Sequence, residues 1–278
     1  MDDQSPVQQT KSISLLRSAH YAGGRTLCWL SEVGGASILV FRTFALLVRP
    51  PFQFNLLVRQ LLLIGVHSLS VVLVSGIFTG MVLATQGYIQ LKDLSAEGSI
   101  GRFISVSLIK ELGPMVTGFV LAGRIGASIT AELGTMQVTE QIDALKVMGT
   151  DPVKYLVVPR FLACALMLPI LTVFSTFSGI AGGYIVAVYV FDMNGEFFMK
   201  QVQSYLFISS IVVSLVKATS FGMAIALVGC YKGFTISIAG GAEGVGKATT
   251  GSAVASLMLI LILDVLLNHL LFTLLGLK

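Results

Sequence analysis

The sequence predicts an all-α, polytopic membrane protein with five transmembrane helices behind an N-terminal interfacial helix. Three observations lead there. Of 278 residues, 55% are hydrophobic and only 12% charged, where a soluble domain carries about 25% charge. Mean hydropathy is +0.88. Apolar runs long enough to cross a bilayer, about 20 residues each, recur along the chain. A single membrane domain over 56–278 is expected, preceded by a helical segment over 1–55 at the cytoplasmic surface. Asp2 and Asp3 open the chain with no basic stretch, short apolar core and cleavage site after them, so no removable signal peptide is expected.

Taken in order, residues 36–49 are apolar but short, carry Arg42 and Arg49, and stop at Pro50-Pro51. That pattern fits an interfacial or re-entrant helix. Five longer runs come next, near 61–91, 103–134, 157–190, 205–230 and 251–276. Lysine and arginine set their orientation. Lys11, Arg17, Arg25, Arg42, Arg49, Arg59, Lys146, Lys154, Arg160, Lys232 and Lys247 fall on one side, against Lys92, Arg102, Lys200 and Lys278 on the other. The N-terminus and the loops at 135–156 and 231–250 are therefore expected in the cytoplasm, and those at 92–102 and 191–204 outside. This topology explains the net charge of +4 and pI near 9.0 better than nucleic-acid binding, because the basic residues form no dense patch.

Small residues recur at every fourth position within runs: Gly76, Gly80, Ala84; Gly118, Ala122, Gly126, Thr130, Gly134; and Ser210, Ser214, Ala218, Gly222, Ala226. Each set lies on one helix face, where missing side chains let backbones approach closely. Arg124, Ser128 and Glu132 descend another face, and Arg124 and Glu132, two turns apart, are expected to bond to different neighbours.

The loop after the second run carries a short helix over 139–149. Thr139 is read as its N-cap, Glu140 and Asp143 as anions at its positive end, with Gln141 between them. Lys146 lies toward the far end, and Gly149 is the left-handed stop. Ile142, Leu145 and Met148 form one narrow apolar stripe. Such a helix is marginal alone, so the stripe rests on an ATPase groove, as in a coupling helix, or on the chain's own membrane domain; the spacing does not choose.

Lys110 and Glu111 precede Gly113-Pro114 inside an apolar run. Pro114 has no N–H for the Lys110 carbonyl, so the helix should bend or open there. Adjacent charges diverge by about 100° on a helix and cost roughly 2.5–3.5 kcal/mol each at the bilayer centre. They are either a functional site or a structural ion pair with Lys217 and Asp264.

The run Gly241 to Ala248 imitates GxxxxGK[ST], but Ala248 has no hydroxyl for magnesium and no strand precedes it, so a flexible turn is expected instead of a nucleotide site. Cys28, Cys164 and Cys230 lack metal-ligand spacing and are read as packing residues. His20, His67 and His269 stand alone. No catalytic constellation, metal site or cofactor is expected, which argues against a membrane-embedded enzyme. An ion-coupled secondary transporter or channel using Lys110, Glu111, Lys217 and Asp264 is the competing reading, although no inverted repeat supports it.

The residues Lys110-Glu-Leu-Gly-Pro114, Ala122-Gly-Arg-Ile-Gly126, Thr130-Ala-Glu-Leu-Gly134, Thr139-Glu-Gln-Ile-Asp143 and Met148-Gly-Thr-Asp-Pro152 together resemble the MlaE/YrbE permease family. The likeness extends from about residue 55 to the C-terminus. It implies a homodimer in the bacterial inner membrane, ahead of the chloroplast inner envelope. Two cytoplasmic ABC ATPase subunits, an external ring of MCE-domain proteins and, in some members, a STAS-domain protein would join it. The implied substrate is phospholipid or a related lipid, moved between inner membrane and outer envelope. On this resemblance Leu83, Tyr88 and Leu91 would line the lipid cleft, Lys110 and Glu111 would be its polar pair, and residues 139–149 the coupling helix. Lys110 stands where related permeases are expected to carry arginine, exchanging a bidentate fork for a point charge.

Overall fold

The computed structural model describes residues 30–47 and 54–275. The expectations for Cys28, His20, Pro50-Pro51 and Lys278 fall outside these residues. The described chain is helical throughout: α1 (Leu30–Leu47), α2 (Phe54–Asp93), α3 (Glu97–Val138), α4 (Gln141–Val147), α5 (Val153–Val190), α6 (Gly195–Ser204), α7 (Ile208–Phe234) and α8 (Gly241–Leu275). Among the described residues, six helices are long and apolar enough to cross a membrane, α1 included. Yet Glu32 of α1 pairs with Lys232 near the end of α7, while Phe44, about 18 Å along the helix axis, meets Phe161 edge-on near the start of α5. Both contacts lie at one end of the bundle, as an interfacial helix requires. Lys146, Lys154 and Lys247 belong to the same end, which is the basic end of the molecule.

The four-residue stripes become the closest helix contacts. Ser68, Val72, Gly76, Gly80 and Ala84 are the buried line of α2, facing Ser175, Ser178, Gly179 and Gly182 of α5. A Cβ on Gly80 would overlap the Gly179 carbonyl, and one on Gly182 would overlap that of Ile77. Gly118 and Gly126 of α3 meet Phe221 and Ile225 of α7, and Thr130 Oγ1 donates across the same interface to the Gly229 carbonyl at 3.1 Å. Backbones this near recover the dispersion contacts that drive association in lipid. Helix α7 is the central staff, wedged among α3, α5 and α8. Around it sits a core at the basic end, including Leu121, Leu133, Phe161 and Leu168. A smaller core at the far end is built on Ile100, Ile104, Leu108 and Phe198.

Several boundaries differ from expectation. The stretch 191–204 is not a plain loop. Asn194 Oδ1 accepts the N–H groups of Glu196 and Phe197 at 2.9 and 3.2 Å, which starts α6, and Phe198 and Val202, one turn apart, are buried beneath it. The fifth run begins ten residues before the expected 251, because Gly241 opens α8 and the Gly241–Ala248 run is helical rather than a flexible turn. Glycines cost a helix about 1 kcal/mol each. Here Gly244 lies against Ile236, Val245 faces Gly134, and Lys247 and Glu243 pair at 2.6 Å.

Glycine substitutions test this packing. Gly80→Val should destabilise the bundle by about 1–3 kcal/mol or more. Gly251→Ala, where an added Cβ meets nothing within 4 Å, should be neutral or stabilising by up to about 1 kcal/mol. Thermal unfolding of the two variants in detergent would compare them directly.

Candidate functional site

The second span is interrupted by two wide turns of π-helix, Leu108–Leu112 and Ala122–Gly126. Such turns insert an extra residue and often mark functional positions. The first is how the expected opening at Pro114 is realised: the chain stays helical, with Pro114 just inside the next α-helical segment. Having lost a helical N–H, the Lys110 carbonyl accepts Lys217 Nζ at 3.2 Å. The second turn carries Arg124, whose Nη1 donates to the His67 carbonyl, directly after a third π-turn at Leu62–Val66 in α2.

Lys217 is fully buried. Its ammonium lies 2.7 Å from Glu111 Oε2 and 3.0 Å from Asp264 Oδ1, and Asn268 Nδ2 donates to Glu111 Oε2 at 3.2 Å. Three helices, α3, α7 and α8, thus contribute to one cluster. A lone ammonium at that depth would cost several kcal/mol. Two carboxylates more than neutralise it, and the Asn268 amide spreads the surplus negative charge. Glu111 is accordingly held by a structural ion pair, while Lys110 points elsewhere.

Lys110 points into a cavity of about 730 Å³ at the far end, opened by the first turns of α3 and α7. Arg102, Phe103, Val106, Ser107 and Lys110 line it at one-turn intervals of α3, joined by Leu91, Tyr205, Phe207, Ser209 and Ser210. Arg102 stacks over the Tyr205 ring at 4.4 Å. The result is two cations and several hydroxyls against aromatic and aliphatic walls, a combination suited to an amphiphile with an anionic head.

Of the residues expected in a cleft, only Leu91 and Lys110 line this cavity. Tyr88 stacks flat on Phe191, centroids 3.9 Å apart, and Leu83 packs with it on the far-end core. Arg102, Tyr205 and Asn268 are site residues that sequence reasoning does not single out. The turn-by-turn spacing from Arg102 to Lys110, and of Asp264 with Asn268, carries the signal.

The short loop helix spans Gln141–Val147 rather than 139–149. Thr139 is not its N-cap, since its hydroxyl bonds back to the Thr135 carbonyl at 2.8 Å and Glu140 makes the turn at φ 58°. Gly149 does stop it, at φ +73°. Its N–H reaches the Lys146 carbonyl and that of Thr150 the Leu145 carbonyl, both at 3.0 Å, a Schellman closure. Asp143 and Lys146 pair at 2.7 Å. The apolar stripe divides: Ile142 is buried and Leu145 half-buried on the chain's own core. Met148, with Val147, stands out at 70% and 89% exposure.

The cluster makes a sharp prediction. Lys217→Met strands two carboxylates and should destabilise the bundle by about 3–5 kcal/mol. Combining it with Glu111→Gln and Asp264→Asn should return most of that loss, as read by denaturant unfolding in micelles.

The family model described as Permease MlaE matches residues 57–270. A probable ABC transporter permease protein of Rickettsia prowazekii is 43% identical over 258 residues, 93% of this chain and 99% of the relative. A second, from Synechocystis, is 38% identical over 88% of this chain and 92% of its own length. The intermembrane phospholipid transport system permease protein MlaE of Haemophilus influenzae is 36% identical over 90% of this chain and 95% of its own. With its all-helical, membrane-spanning architecture, this chain belongs to the MlaE permease family.

Proposed function

We propose that the chain is the membrane subunit of an ABC transporter that moves phospholipid or a related lipid across the envelope, driven by a separate ATPase. The observation that carries this reading is the far-end cavity, in which Arg102 and Lys110 sit on one face of α3 among serines and apolar walls. A phosphate head would lie against the two cations, and acyl chains against Phe103, Val106 and Phe207. Similarity to the Haemophilus permease, named for phospholipid transport, supports the same substrate class.

In this reading the ATPase grips Val147 and Met148, the exposed tip of α4, while Ile142 and Leu145 transmit its movement into α3 and α5. The basic end then faces the cytoplasm of a bacterial inner membrane, with the N-terminal segment on that side, and an MCE-domain ring, with a STAS-domain protein in some assemblies, completes the complex. A second copy of the chain packs on α8, whose Val254, Met258, Leu261 and Val265 are bare. The cavity of each copy would open toward a shared cleft. The competing ion relay is disfavoured because Lys217, Glu111 and Asp264 are engaged with one another.

Two substitutions separate the roles. Met148→Asp should abolish copurification of the ATPase subunit without lowering the melting temperature of the isolated permease. Lys110→Ala should reduce phospholipid recovered with the complex by about tenfold, the value of one charge-assisted contact, while the ATPase remains bound; undiminished recovery would remove Lys110 from the site.

A further inference from the structure

A second polar cavity, of about 180 Å³, lies at the basic end and has no part in the far-end site. It is lined by Arg59 and Gln60 at the foot of α2, Glu132 and Met136 at the end of α3, and Tyr155 and Arg160 at the start of α5. Its charges are arranged unevenly. Arg160 is buried, donating to the Leu156 carbonyl at 2.7 Å and pairing with Glu132 at 2.9 Å, while half of the Glu132 side-chain surface stays open. Arg160 Nε has no partner among the described residues. Arg59 is exposed and makes no ion pair or hydrogen bond among the described residues.

The cavity therefore offers a guanidinium with no partner among the described residues, an accessible carboxylate, and the uncharged donors of Gln60 and Tyr155, all at the basic-end termini of α2, α3 and α5. A guanidinium takes a phosphodiester through two parallel N–H bonds. A carboxylate takes a primary ammonium, whose N–H donors a trimethylated headgroup lacks and a glycerol headgroup replaces with neutral hydroxyls. We propose that this cavity is a binding site for a zwitterionic aminophospholipid of the basic-end leaflet, with its phosphate on Arg59 and its ammonium on Glu132. The volume suits a headgroup and excludes acyl chains. The bound lipid would pin the foot of α2 to α3 and α5 independently of the cavity holding Lys110.

The full chain, placed in nanodiscs of equal phosphatidylethanolamine, phosphatidylcholine and phosphatidylglycerol, is released for native mass spectrometry. Phosphatidylethanolamine should be retained over the other two by about tenfold, in line with one charge-assisted contact. Arg59→Ala should lower that retention by about as much, Arg59→Lys should restore part of it, and Gly251→Ala, which lines neither cavity, should leave it unchanged. Equal retention of the three lipids, or an adduct indifferent to Arg59→Ala, would overturn the site. An adduct lost with Lys110→Ala but kept with Arg59→Ala would assign the lipid to the far-end cavity and overturn it equally.

Discussion

A single ammonium with no access to water organises this bundle. Lys217 sits on the central helix, and its charge is tolerable at that depth only because α3 and α8 each deliver a carboxylate to it. The interaction acts as a register lock. Sliding α8 by one residue would swing Asp264 about 100° away, stranding its carboxylate and leaving Lys217 with Glu111 as its one remaining ion-pair partner. Apolar packing alone has no such preference, because one leucine on a lipid-facing helix replaces another at little cost. Elsewhere the glycine seams between α2 and α5 impose a comparable demand by shape, where the carbonyl of Gly179 occupies the space any side chain at Gly80 would need.

The lock also explains how neighbouring residues separate in role. Glu111 is drawn inward by Lys217, and the wide turn that contains it lets Lys110 face the opposite way, into the far-end cavity. The Pro114 defect, which would otherwise leave a carbonyl unsatisfied in a poorly hydrated interior, supplies the third acceptor for Lys217. A proline, an ion pair and a cavity cation thus belong to one local arrangement.

Much of this architecture is legible in the sequence, because membranes make patterns severe. Long apolar runs, small residues at every fourth position and charges inside a span have few structural solutions, and buried charge must be matched, which points Glu111, Arg124 and Glu132 toward partners on other helices. The start of α8 is hidden because glycines in 241–246 imitate a loop, and only tertiary contacts with Ile236 and Gly134 make them helical. Helix α6 is hidden because its ten residues are too few for a span and its burial depends on α3. Thr139 looks like a cap, yet the left-handed turn at Glu140 lets the preceding helix keep that hydroxyl. The far-end cavity is only half visible, since folding and not sequence proximity brings Tyr205 to Arg102 and Ser209 to the same lining.

The wide turn at Leu108–Leu112 has one more implication. It carries one supernumerary residue, which its larger ring absorbs, so the helix on either side keeps nearly the azimuth of an unbroken spiral. Arg102 and Ser107 therefore hold the bearing set by the portion anchored at Lys217, and only residues inside the turn, Lys110 and Glu111 among them, are displaced from regular helical positions. The inserted residue thus confines its distortion to the short stretch that parts the cavity cation Lys110 from the buried ion pair at Glu111.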